Sequence, residues 1–277
     1  MQRNANHADP PSPVTKTTTR PSTAASAVKS FVRQPALDHD AAMRLAAVEY
    51  DRVVTQLRSL APDDWSRPTD CPDWDVHALA CHMLGMAEMA GSLREQFRQT
   101  RKAKRAGGVF IHALTALQVS ERKRLTPQQI VERFAEVAPR AARGRRRTPA
   151  FVRRRPMPDE QPVGGQPDSP QERWTFGFVI DVILTRDPWM HRTDIAAATG
   201  NPLMLSADHD GVLVADVAQE WAQRHGQSCS LVLTGPAGGA WSWGSGGQRL
   251  ELDAVQFCRA LSGRGPGEGL LGVEVPF

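Results

Sequence analysis

The chain has 277 residues, 40% of them hydrophobic, with four cysteines and a formal net charge of +4. That length accommodates two modest domains, and no apolar run approaches the roughly 20 residues needed to span a bilayer. Cys71, Cys81, Cys229 and Cys258 form no CxxC pair, which argues against a zinc knuckle or a disulfide framework.

Met1 to Arg33 is polar throughout, with no signal-peptide core, so the expected compartment is the cytoplasm. Residues 1–37 are rich in Pro, Ser, Thr and Ala without a period and read as a disordered tail. From Asp38, Met43, Ala46, Tyr50, Val53, Val54 and Leu57 recur at helical spacing and draw one apolar face. The second helix starts at Asp75, a good N-cap, with Leu79, His82, Met83 and Met86 on its inward face. Its basic tail, Arg94 to Arg105, ends at Gly107-Gly108.

Val109 to Leu117 reads as a further apolar helix, and Thr126-Pro127 opens another with proline at N1. Arg143, Arg145, Arg146, Arg147 and Arg153 to Arg155 then cluster. With no aromatic platform nearby, the cluster reads as a solvated loop rather than a nucleic-acid patch. Pro156 to Pro170 is a long connection. Glu172 to Thr199 reads as a helix carrying Ile180, Ile183, Leu184, Asp187 and His191 on one stripe, stopped by Gly200 and Pro202. The remainder mixes an amphipathic helix around Trp221, strands at 230–235 and 240–243, a helix capped by Asp253, and a last strand over Leu270 to Phe277. The fold class is therefore α+β: a helix bundle over 38–200 followed by a small α+β domain over 201–277.

Asp187 and His191 are four residues apart and share a helix face, about 6 Å apart along the axis. They lie on the core side, where an unpaired carboxylate is costly. Together with His82 they could hold a divalent metal. Asp187 could instead cap a new helix at Pro188, with His191 a satisfied core histidine; spacing alone leaves both readings open. Cys81 and His112 read as core residues, and Trp241 and Trp243 as domain core. Asp194 could orient His191 or pair with Arg192.

Trp74-Asp75-Val76-His77-Ala78-Leu79-Ala80-Cys81-His82, led in by Asp70-Cys71-Pro72, resembles the W-x7-H signature of the mycothiol-dependent maleylpyruvate isomerase family. Arg186 to Ala196 resembles that family's second motif, and Leu233-Thr234-Gly235, Leu261-Ser262-Gly263-Arg264 and Val275-Pro276-Phe277 resemble the small C-terminal domain of actinobacterial members. The resemblance implies a DinB-like four-helix bundle that binds metal, Zn2+ foremost, through His82, Asp187 and His191. Asp187 stands where the characterised isomerase carries Glu. It further implies mycothiol as a low-molecular-weight thiol cofactor. A small electrophilic substrate would undergo cis-trans isomerisation or thiol transfer, and the open metal could alternatively activate water for hydrolysis. A non-catalytic metal- or ligand-binding or regulatory protein on the same bundle is the alternative. No membrane partner is expected, and nucleic acid is disfavoured.

Overall fold

The computed structural model describes residues 32–164 and 170–277. Of the tail expected over 1–37, the part up to residue 31 lies outside them. Val32–Arg33 form a short strand, β1. Helix α1 (His39–Ser59) is started by Asp38, whose carboxylate accepts from the Ala41 amide. Its buried face carries Met43, Ala46, Tyr50, Val53 and Leu57, as the spacing predicts. A 3-10 turn, Pro62–Ser66, leads toward α2 (Val76–Gly91), which Asp75 caps by accepting from the Ala78 amide at 2.8 Å.

The basic tail expected to continue this helix is a separate element. The backbone becomes extended at Ser92 (φ −149°, ψ 119°), and the Ser92 hydroxyl caps α3 (Leu93–Ala106). There follow α4 (Phe110–Arg122) and α5 (Pro127–Arg146), the latter opened by a reciprocal Thr126–Gln129 capping box. A short α6 (Ala150–Arg153) comes next. The arginine-rich stretch expected as a solvated loop is thus the end of α5 together with α6. Arg145 is buried and Arg153 donates to Asp181 at 3.0 Å.

Two more short strands, β2 (Gln161–Pro162) and β3 (Gln171–Trp174), form a small sheet with β1. The helix expected from Glu172 therefore begins later. Residues 171–174 pair parallel with β1 (Val32 opposite Arg173) and antiparallel with β2, partners too distant in sequence for periodicity to reveal. Thr175 then caps α7 (Phe176–Phe178), which widens into a π turn over Val179–Ile183 and continues as α8 (Leu184–Thr199).

Helices α1, α2, α5 and α8 make the four-helix bundle. Its core includes Val53, Leu79, Leu84, Ile130, Phe134 and Ile195, all fully buried. Truncating an aromatic such as Phe134 to alanine in such a core costs about 3–5 kcal/mol. The crossing of α2 and α5 is so close that a Cβ at Gly144 would overlap the Ala90 carbonyl, so only glycine fits there.

Beyond the bundle, α9 (Asp210–His225) precedes β4 (Cys229–Thr234), β5 (Gly239–Trp243) and β6 (Gln248–Asp253), arranged β5-β4-β6. β5 runs antiparallel and β6 parallel to β4. Asp253 caps α10 (Ala254–Leu261), as expected. Strand β6 was not evident from sequence, since Gln248 to Glu251 lack an apolar run. The expected last strand is instead a 3-10 turn (Gly269–Gly272) and an unpaired extension, anchored where the Val275 amide donates to the Leu261 carbonyl. Trp221, Leu231 and Phe257 centre this core, Trp241 and Trp243 pack on it, and Trp189, Met190 and Leu45 from the bundle join it. The architecture is α+β. No helix among the described residues is long and apolar enough to cross a membrane.

Candidate metal centre

Asp187 and His191 stand one turn apart on α8, on either side of the backbone complication made by Pro188. Proline has no N–H to give the carbonyl four residues back, which here is Leu184. Helix α8 runs through Pro188 unbroken because Arg145 of α5 takes that carbonyl: its Nη1 donates to Leu184 at 2.9 Å. Its Nε and Nη2 donate to the Ile180 carbonyl inside the π turn, at 2.9 and 2.7 Å. A side chain thus replaces the ladder bond that proline removes, and Asp187 and His191 keep their common face.

His82 reaches the same point from α2. Its Nε2 lies 3.4 Å from Asp187 Oδ1, and His191 Nε2 lies 3.4 Å from that same oxygen. The three ligand-capable atoms fall within 4.8 Å of one another. Both imidazoles are buried, while Asp187 is 20% exposed. Trp74 lies beside both rings, at 5.3 Å from His82 and 6.5 Å from His191.

The donor set fits a divalent ion. Ligands at about 2.0–2.2 Å from a tetrahedral zinc lie about 3.3–3.5 Å apart, which is the distance of each imidazole Nε2 from Asp187 Oδ1. The outer nitrogen of each imidazole is also held: His82 Nδ1 by Gln118 Oε1 at 2.8 Å, and His191 Nδ1 by Asp194 Oδ2 at 3.1 Å. Each Nε2 is therefore free to present a lone pair. Burial acts to raise the Asp187 carboxyl, but the His191 and His82 imidazoles outweigh it and hold the group below the ordinary carboxylate range. Burial acts to lower the His191 value, and Asp187 and Asp194 raise it well above the usual imidazole range. Asp194, which could have paired with Arg192, instead faces His191, Arg264 and Arg259, the two guanidinium contacts being 2.8 and 3.2 Å. Burial would push the Asp194 carboxyl up, yet the His191 bond and the Arg264 charge hold it at about 2.

A second grouping, Cys71, His191 and Asp194, also brings three ligand types within 4.8 Å. It suits a cation less well. Arg264 Nη2 lies 3.4 Å from Cys71 Sγ, and the Asp194 carboxylate is already engaged by two guanidinium groups. Cys81 is buried, and burial pushes its thiol up to about 12, which makes it inert as a nucleophile.

A cavity of about 270 Å3 opens onto His82 and Asp187. Its walls are mainly apolar, with Met86, Ile111, Trp174 and Ile183 among them, and Arg264 brings a cation to the lining. His112, expected in the core, is exposed and lines this cavity, because α4 turns that side outward. Two residues were missed in the sequence. Gln118 is a polar side chain on the buried face of an apolar helix, a signal that was there to be found. Arg264 lies in a C-terminal loop, and nothing local marks its reach to α8.

Comparison with curated proteins returns no match. Two solved structures resemble the chain: the crystal structures of the mycothiol-dependent maleylpyruvate isomerase and of a histidine-to-alanine mutant of it. Each aligns with a TM-score of 0.50 at 14% identity, over 83% of this chain and 90% of that one. At that identity the likeness speaks for the fold. The model of the mycothiol maleylpyruvate isomerase N-terminal domain matches residues 46–196, a span that holds His82, Asp187 and His191 and more than half of the sequence. The chain belongs to the mycothiol maleylpyruvate isomerase N-terminal domain family.

Proposed function

We propose that this protein is a metal-dependent, mycothiol-using enzyme that acts on a small electrophilic substrate, by cis-trans isomerisation or thiol transfer. The observation that carries the reading is the approach of two imidazole Nε2 atoms, each 3.4 Å away, to one Asp187 oxygen beside an apolar cavity. His82, Asp187 and His191 would hold the ion, Zn2+ being the best match to two nitrogen ligands and one oxygen ligand. When bound, such a cation stabilises the thiolate of a coordinated thiol at neutral pH.

The remaining work falls to the chain itself. Trp174, Ile183 and Ile111 give the cavity apolar walls, so the few polar groups among its lining set the orientation of a substrate. Arg264 donates through Nε to Asp194 and through Nη2 to Cys71, and its Nη1 has no hydrogen bond among the described residues. That nitrogen suits the carboxylate of an unsaturated acid such as maleylpyruvate, on which the structurally similar enzyme acts by name. Asp194 holds Arg264 and His191 together, so substrate anchor and metal ligand are fixed by one carboxylate.

The test is metal content together with turnover. Purified protein should hold one divalent ion per chain, lost in His82→Ala and His191→Ala, and should isomerise maleylpyruvate or conjugate electrophiles only when mycothiol is present. Correctly folded protein that takes up no metal, or takes it up and turns over nothing with mycothiol, overturns the reading.

A further inference from the structure

Where α3 and α4 pack against α2, behind the His82 wall of the cavity, lie two glutamines with no exposure at all, Gln99 and Gln118. Buried amides must satisfy both ends, and here each end dictates the next. Gln99 Nε2 donates to the Gly85 carbonyl at 3.1 Å and to Glu95 Oε1 at 3.0 Å. Both partners accept only, since Arg98 keeps the Glu95 carboxyl below its ordinary range. The Gln99 amide cannot turn over, and its oxygen must face inward. There it accepts from Gln118 Nε2 at 2.9 Å, a nitrogen that also lies 3.0 Å from Met86 Sδ, another acceptor. Gln118 is therefore fixed with its own oxygen toward His82 Nδ1, at 2.8 Å.

An amide oxygen can only accept, so His82 must carry its proton on Nδ1 and leave Nε2 bare toward Asp187. We propose that Gln118 is a positioning residue that sets the tautomer of His82, and that Gln99 and Glu95 set the orientation of Gln118. The helix makes room for this device. A Cβ on Gly85 would fall 2.6 Å from Cγ of Gln118, so the mid-helix glycine is explained by the side chain passing over it.

The consequence for metal binding rests on the function proposed above, but the tautomer itself is read without metal. The experiment records imidazole 15N spectra of the metal-free full chain, well above the ordinary histidine range, and Zn2+ dissociation constants of the same proteins. Wild type should carry the His82 proton on Nδ1; a proton on Nε2 overturns the proposal. Gln118→Met should lose that preference and bind Zn2+ about 10–100-fold more weakly. Gln118→Glu keeps an acceptor, and should retain the Nδ1 proton with a loss below about tenfold. Gln99→Met frees the Gln118 amide to turn over and should give a mixed tautomer. Circular dichroism establishes folding, and if Gln118→Met does not fold, the wild-type and Gln118→Glu spectra decide. An unchanged tautomer in folded Gln118→Met, or its loss in Gln118→Glu, overturns the role of Gln118. An unchanged tautomer in folded Gln99→Met overturns the relay. A correct tautomer in a protein that binds no Zn2+ would sink the proposed function and leave this assignment standing.

Discussion

Arg145 donates to the Leu184 carbonyl at 2.9 Å, the acceptor that Pro188 leaves without a helical partner. The same guanidinium serves Ile180 and Thr185. Replacing it by Arg145→Met strands several buried acceptors at once, each costing about 1–3 kcal/mol. We expect a loss of at least about 3 kcal/mol in urea unfolding, with weaker metal binding, since the turn that carries Asp187 loses its brace. Arg145→Lys should recover only part, because a point donor cannot serve carbonyls on two turns.

Arg186 joins α8 to α9 through Asp216 at 2.6 Å and Glu220 at 2.7 Å, all three being buried. Arg186→Leu leaves two carboxylates buried, with Glu220 retaining Arg224. A broken buried pair costs about 3–5 kcal/mol, and equilibrium unfolding should report a loss of that size. Arg249→Ala, at an exposed pair with Glu251, should change stability by less than about 1 kcal/mol.

Hydrogen bonds from Arg98 hold the Glu121 carboxyl down at about 2, against an ordinary value of 4.5. The folded value lies below the unfolded one, so the contribution to stability is complete above 4.5 and is lost as pH falls toward about 2. Unfolding free energy measured across that window should decline. Glu121→Gln should flatten the decline by about 1–2 kcal/mol, a modest figure because Glu121 is partly exposed.

Gly144→Ala would ordinarily favour a helix by up to about 1 kcal/mol. Here the new methyl group meets the Ala90 carbonyl, and backbone on the facing helix cannot step aside. The expected outcome is a net loss of about 1–3 kcal/mol, read as a lowered thermal midpoint.

Asp194→Asn removes the charge that faces His191 Nδ1 at 3.1 Å and Arg264 Nε at 2.8 Å. Metal affinity should fall about 10–100-fold, and kcat should fall with it as Arg264 loses its anchor. Unchanged affinity would remove Asp194 from the supporting role assigned to it.

The bundle was legible wherever one helix carries its own signal. The apolar stripe of α1, the Asp75 cap and the Thr126-Pro127 helix start each lie within a few residues, and His82, Asp187 and His191 stand on such stripes. What sequence concealed depends on partners far along the chain. Strand β3 exists because β1 lies some 140 positions away. Arg145 reads as part of a solvated loop, because nothing local says that a proline on another helix needs a donor. Gln118 shows its burial locally, as a polar residue on an apolar face, but nothing near it in sequence points to His82 as its partner.

The π turn at Val179–Ile183 sets the phase of everything after it. One surplus residue in an α-helix swings the following side chains by about 100°. Excising a single residue from Val179–Ile183 would therefore turn the carboxylate and imidazole of α8 by about 100° away from α2, with the motif from Arg186 to Asp194 intact in every letter. Reading such proteins by motif alone overlooks a five-residue segment outside it on which the aim of the motif depends.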